Sequence, residues 1–184
     1  AILRENAPKL GSISPMGTQL VARLESYARS GKMIRGILVR LGYELCAAEA
    51  PDAAMARVLD RAGAAMEFLQ AGLLIHDDIM DRDVLRRGQT TVHAQYERDA
   101  AEACAADPAH HGISLGVCAG DVAFFLGFHA LAALPVPPAL QERARKVAAF
   151  SAQELCWVGV AQMQDVRNGG GGLGSHPDPA QILR

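Results

Sequence analysis

From about Ala53 to Arg82 the chain has no proline, and Val58, Ala62, Ala65, Met66, Leu69, Leu73 and Ile79 recur close to the 3.6-residue period of a helix. That predicts a helix far longer than the usual one of about 11–12 residues. A helix this long gains most of its stability from neighbours packed around it, so it is expected at the centre of a helical bundle.

The flanking sequence is punctuated in the same style. Ser14-Pro15 reads as an N-cap followed by proline in the first turn; Leu20, Leu24 and Tyr27 continue at helical spacing to Gly31. A second helix is expected with Met33, Ile37, Leu38, Leu41 and Leu45 on one side, ending before Pro51-Asp52. Residues 83–92 read as a connection, and further helices are predicted over 93–105, 112–134 and 139–166. Residues 1–13 show no clear period and are expected as a disordered arm. The glycine run and Ser175-His176-Pro177 predict a flexible loop at 167–177, after which Asp178-Pro179 starts another helix. A helix that starts at a cap and stops within a turn or two reads as a chain cut at the C-terminus. The fold class expected for 1–184 is all-α, an antiparallel helical bundle.

Composition narrows the function. Half the residues are hydrophobic, only 5% are aromatic, and the formal net charge is −2, which argues against a nucleic-acid binder with its basic excess. Any phosphate chemistry must then come from a few placed cations. Cys46, Cys104, Cys118 and Cys156 form no CxxC pair, so they are read as buried free thiols of a reducing cytoplasm rather than a zinc site. The apolar run 113–134 approaches the length of a membrane span but carries Asp121 and His129; a buried core helix is expected, and no membrane span.

Chemistry concentrates at the C-terminal end of the long helix. Asp77 and Asp81 are one turn apart on one face, with Asp78 beside them. Like charges at this spacing repel, and acidic groups at a helix C-terminus oppose the macrodipole, so the cluster calls for a cation. Mg²⁺ suits oxygen ligands and commonly links one or two carboxylates to a phosphate; pairing with Arg82, Arg86 and Arg87 at a solvated helix end is the alternative. Arg86-Arg87 are themselves candidates to grip phosphate in bidentate fashion. Lys32 and Arg35 follow Gly31 at a helix start, where they are either a second phosphate cradle or ordinary surface charges.

Taken together, these residues resemble a known family. Gly31-Lys32-Met33-Ile34-Arg35 resembles the GKxxR element of trans-isoprenyl diphosphate synthases, in particular geranylgeranyl diphosphate synthases. Glu67-Phe68-Leu69-Gln70, His76-Asp77-Asp78-Ile79-Met80-Asp81 and Arg86-Arg87-Gly88 are similar to the family's first aspartate-rich motif with its trailing arginine pair. Gly120-Asp121 resembles the glycine–aspartate step of a later helix, and Gln162-Met163-Gln164-Asp165 the QxxD element, with Ala161 where glycine is usual. The resemblance runs from about residue 30 to the end.

What the resemblance implies is a prenyltransferase that condenses isopentenyl diphosphate with an allylic prenyl diphosphate. Asp77, Asp78 and Asp81 would hold Mg²⁺ on the allylic diphosphate, with Arg86 gripping that group. Lys32, Arg35, Gln70 and Arg87 would bind isopentenyl diphosphate; Gln162 and Asp165 would support the metal and substrate side. A homodimer in the cytoplasm is expected. Gly72 and Leu73, just upstream of the aspartates, would set product length; being small, they predict a product of twenty carbons or more, floored by Met66 and Leu69. Gly36 stands where the family has proline, expected to change only local rigidity.

The family's second aspartate-rich motif and a downstream lysine fall beyond residue 184. The alternative is therefore a fragment or non-catalytic homologue that binds prenyl diphosphates or a partner subunit. Two other classes fit less well. A His-Asp phosphohydrolase needs a histidine upstream of His76, which is the first in the chain. A terpene cyclase lines its cavity with aromatic rings that face cations, and aromatics are scarce here.

Overall fold

Asp52 opens the central helix: its carboxylate accepts the Met55 N–H at 2.7 Å, one of the donors that a helix start otherwise leaves unpaired. The helix, α4, runs Ala53–Met80 in a computed structural model that describes residues 1–169. Its buried residues (Val58, Leu59, Ala65, Phe68, Leu69, Ala71, Gly72, Ile75 and Asp78 among them) lie nearly all round it, as the centre of a bundle requires. Each large apolar side chain so buried stabilises the fold by about 1.5–3 kcal/mol.

Around it stand α1 (Ile2–Ile13), α2 (Pro15–Arg29), α3 (Ile34–Cys46), α5 (Val92–Glu102) and α6 (Pro108–Ala132), with a two-residue-stranded hairpin, β1 (Leu85–Arg86) and β2 (Gln89–Thr90), between α4 and α5. By packing the chain divides into Ala1–Arg145 and Lys146–Arg184. The boundary falls inside α7 (Gln141–Gly169). The expected loop at 167–177 thus begins as helix, and the rest of it, with the expected helix from Asp178, lies outside the described residues.

In the first unit, α6 is the principal partner of both α4 and α5. By length and composition it could cross a membrane, with a mean hydropathy of 1.7; here its buried glycines and alanines form the packing surface for α4 and α5. Of the charged residues within it, Asp121 is half-buried and His129 is exposed. It starts at 108, not 112, because the Asp107 carboxylate caps His110 N–H at 3.0 Å and Pro108 occupies the first turn.

Several expectations need correction. Residues 1–13 are not a disordered arm but α1, anchored by the buried Ile2 and by Arg61, which donates to both Glu5 carboxylate oxygens at 2.9 and 2.8 Å. The apolar stripe of α3 does not face inward: Ile37, Leu38, Leu41 and Leu45 are exposed. Gly36, Val39 and Tyr43 are more covered, because α3 crosses α4 backbone to backbone. A Cβ on Gly63 would stand 3.0 Å from the Gly36 Cα, so the glycine-bearing face allows the closest approach. The four cysteines are free, as expected, but exposed rather than buried.

Candidate active site

The carboxylate cluster is shaped by the chain reversal that follows it. The peptide folds back through Asp83 N–H to Asp78 C=O at 2.8 Å and Thr91 N–H to Val84 C=O at 3.1 Å. Between these ties, Arg86 pairs with Gln89 across the hairpin, leaving Arg87-Gly88 as a two-residue turn. Both turn residues have positive φ, 54° and 75°, the signature of a type I′ turn, in which glycine is favoured. A residue within a strand and one at its turn present their side chains differently, and here the two arginines part company.

Arg86 goes to the acids. Its Nε donates to Asp78 Oδ1 in a very short contact, its second nitrogen to Asp77 Oδ2 at 3.1 Å, and it lies 3.7 Å from Asp83. Asp78 is wholly buried, and its other oxygen, Oδ2, has no hydrogen-bond partner among the described residues. Burial pushes the Asp78 carboxyl up from its usual range, and the Arg86 guanidinium opposes that shift. Asp81 is the exposed C-cap of α4 and takes no part in the ion pairs to Arg86.

No complete cage of three or more acidic, imidazole or thiol groups closes on one point among the described residues. Mg²⁺ needs none, since it keeps waters and takes one or two carboxylates with substrate phosphate. A buried carboxylate oxygen without a partner, next to a second carboxylate, fits that requirement.

Arg87 goes the other way. With Lys32, Arg35 and Gln70 it lines a cavity of about 510 Å³, whose wall also includes Tyr27, Gly31, Ile34, Glu67, Ala71 and Leu74. Gly31 admits the Arg87 guanidinium, which would lie 3.2 Å from a Cβ placed there. Lys32 precedes α3 and Arg35 sits in its first turn, the chain turning through Met33 with φ 52°. None of Lys32, Arg35 and Arg87 makes an ion pair among the described residues. The structure therefore gathers the cations that motif spacing had left as either cradle or surface charge.

Three residues were given no role in the site from the sequence. Glu67 accepts the Gly36 N–H at 2.8 Å, so the glycine in place of proline does more than alter rigidity; proline has no N–H to give. Tyr27 lies against the cavity from α2. His76 bonds the Val117 carbonyl at 3.1 Å and approaches Asp121 at 3.5 Å, over Gly120, where any Cβ would strike its ring. The Gly120-Asp121 step is thus a seat for His76.

The candidate chain-length residues divide. Gly72 does not open onto empty space: a Cβ there would lie 2.9 Å from the Phe124 ring of α6. Leu69 likewise packs on α6, at Gly127. Leu73 and Met66 are half-buried. Gln162 and Asp165 belong to the second unit, three residues apart on α7.

The chain is similar to known proteins over most of its length. The polyprenyl synthetase family model matches residues 18–170. A geranylgeranyl diphosphate synthase of Sulfolobus acidocaldarius is 34% identical over 113 residues, covering 59% of this chain and 28% of that protein. A probable farnesyl diphosphate synthase of Sinorhizobium fredii is 42% identical over 83 residues, 43% of this chain and 23% of that protein. Among solved structures, a geranylgeranyl pyrophosphate synthase of Corynebacterium glutamicum, complexed with isoprenyl diphosphate and magnesium, superposes with a TM-score of 0.68 at 30% identity, over 79% of this chain and 41% of that one. The chain thus spans well under half the length of these relatives.

Proposed function

The chain belongs to the polyprenyl synthetase family, and on that premise we propose that it contributes the substrate-binding half of a prenyltransferase joining isopentenyl diphosphate to an allylic diphosphate. One observation carries the reading: a single hairpin sends Arg86 to Asp77 and the buried Asp78, and Arg87 to a separate cavity whose cations have no ion-pair partner among the described residues. Two diphosphates on two adjacent substrates need two such places.

In this reading Asp77, Asp78 and Asp81 would hold Mg²⁺ on the allylic diphosphate side, and Arg86 would shift part of its bonding from carboxylate to that phosphate. Lys32, Arg35, Gln70 and Arg87 hold isopentenyl diphosphate. The bound Mg²⁺ would supply neutralisation of the charge developing on the departing diphosphate. The allylic carbon–oxygen bond breaks, the double bond of isopentenyl diphosphate forms the new carbon–carbon bond, and a proton is lost. The fixed cations hold the two substrates in register, which lowers the entropic cost of their meeting.

The reading extends to Gln162 and Asp165 as support for the metal and substrate side, to both units as parts of one synthase domain, and to a cytoplasmic homodimer. The proposed product has twenty carbons or more; Phe124, which fills the room beside Gly72, is the ring that must give way, with Leu73, Met66 and Leu69 below.

The test is a condensation assay with Mg²⁺, labelled isopentenyl diphosphate and allylic diphosphates of five to fifteen carbons. Product that falls by about a thousandfold in Asp78→Ala is expected, the scale of losing a key electrostatic group. A folded chain that makes none overturns catalysis by this chain and favours the binding homologue; a fifteen-carbon product alone overturns the chain length.

A further inference from the structure

Tyr27, with Ser30 and Arg87, borders both spaces beside the hairpin. It lines the 510 Å³ cavity with Lys32, Arg35, Gln70 and Arg87, and also a space of about 20 Å³ with Arg86, Arg87, Thr90 and Gln95. Its hydroxyl is buried and has no hydrogen-bond partner among the described residues, a costly state for a group that ordinarily finds one.

The surroundings are rich in positive charge. The charged groups nearest the cavity are mostly donors: Lys32, Arg35 and Arg87 have N–H groups to give and no acceptor. Glu67 is the single carboxylate in the lining, and it is engaged with the Gly36 N–H. What the cavity is short of is negative charge to match its three cations. A diphosphate brings that charge, and a space of this volume admits one. The smaller space holds about one water at most.

From this geometry we infer that Tyr27 positions the substrate, donating its hydroxyl to the diphosphate held by Lys32, Arg35 and Arg87. The inference rests on the reading of that cavity given above. Burial and the nearby Asp78 carboxylate keep the phenol protonated far above neutral pH, so Tyr27 remains a donor. Its place between the two spaces would also fix where the five-carbon substrate sits relative to the Arg86 side.

Titration calorimetry on the chain and on Tyr27→Phe, which removes one oxygen and keeps the ring, tests this. Isopentenyl diphosphate is one probe; a ten-carbon allylic diphosphate with Mg²⁺ is the other. The expected result is about tenfold weaker binding of isopentenyl diphosphate, the scale of one hydrogen bond to a charged acceptor. Allylic binding should stay within about twofold by the same arithmetic. The ligand-free melting temperature should hold or rise, because an unpartnered buried hydroxyl is removed; a merely structural tyrosine would lower it. Unchanged isopentenyl diphosphate binding, or a loss confined to the allylic ligand, overturns the inference. Lys32→Ala separates the two levels: if it abolishes binding while Tyr27→Phe does not alter it, Tyr27 alone is wrong. If the chain binds isopentenyl diphosphate without need of Lys32, the reading of the cavity fails and the inference with it.

Discussion

Arg86 and Arg87 are neighbours in sequence with identical chemistry, yet one is committed and the other is not. Arg86 is three-quarters covered and shared among Asp77, Asp78 and Asp83. Arg87 opens on the cavity with no carboxylate partner among the described residues. The difference is a matter of backbone: the strand holds Arg86 over the end of α4, and the positive φ of Arg87 and Gly88 turns the next side chain away. Charge adjacency alone says nothing about how two guanidiniums are allotted.

The comparison breaks most sharply if Arg86 is removed. Arg86→Ala leaves Asp78 buried with neither oxygen paired, and a loss of roughly 3 kcal/mol is expected in urea unfolding. That deficit depends on pH. Burial raises the folded pKa of Asp78 above its unfolded value, so its neutral form is the one favoured by folding. The associated stability is fully present below the unfolded pKa and lost as pH rises through the folded one. Without Arg86 the penalty is larger, so the gap between native and variant should narrow as pH falls towards 4, the ordinary carboxylate range. A gap constant with pH would mean that Asp78 is not the group left unpaired.

Arg87→Ala sharpens the contrast from the other side. Unfolding free energy should move by no more than about 0.5 kcal/mol, as for a surface change, while KM for isopentenyl diphosphate should rise about tenfold, the scale of one charged hydrogen bond. Equal losses of stability in the two arginine variants would erase the distinction. The smallest effect is expected at the turn itself. Gly88→Ala must adopt a left-handed backbone and should cost about 1 kcal/mol, with both arginine functions weakened together.

How much of this was legible differs from element to element. The central helix was, because a proline-free stripe with Asp52 as cap carries its own period and start signal. So were the acidic cluster and its cationic companions, whose motifs are contiguous. The start of α6 is legible too, since Asp107-Pro108 repeats the polar-residue-then-proline signal of Ser14-Pro15. The hairpin was not: strands of two residues have no period, and Arg-Gly is a weaker turn signal than Asn-Gly. Nor was α1, where Pro8 lies inside the helix and the ordering contacts, Ile2 and Glu5 with Arg61, are distant in sequence.

By itself, then, the sequence determined where the longer helices lie and which charged groups stand at their ends, since spacing, caps and like-charge repulsion act over a turn or two. Only the tertiary structure decided which face of each helix turns inward and which partner each cation takes. Gly36 against Gly63 chose the inner face of α3 over its apolar stripe, and Phe124 filled the room beside Gly72. A positive-φ turn sent Arg87 towards Tyr27 and Lys32. Close approach and burial depend on what arrives from elsewhere in the chain, and no local pattern encodes the neighbour.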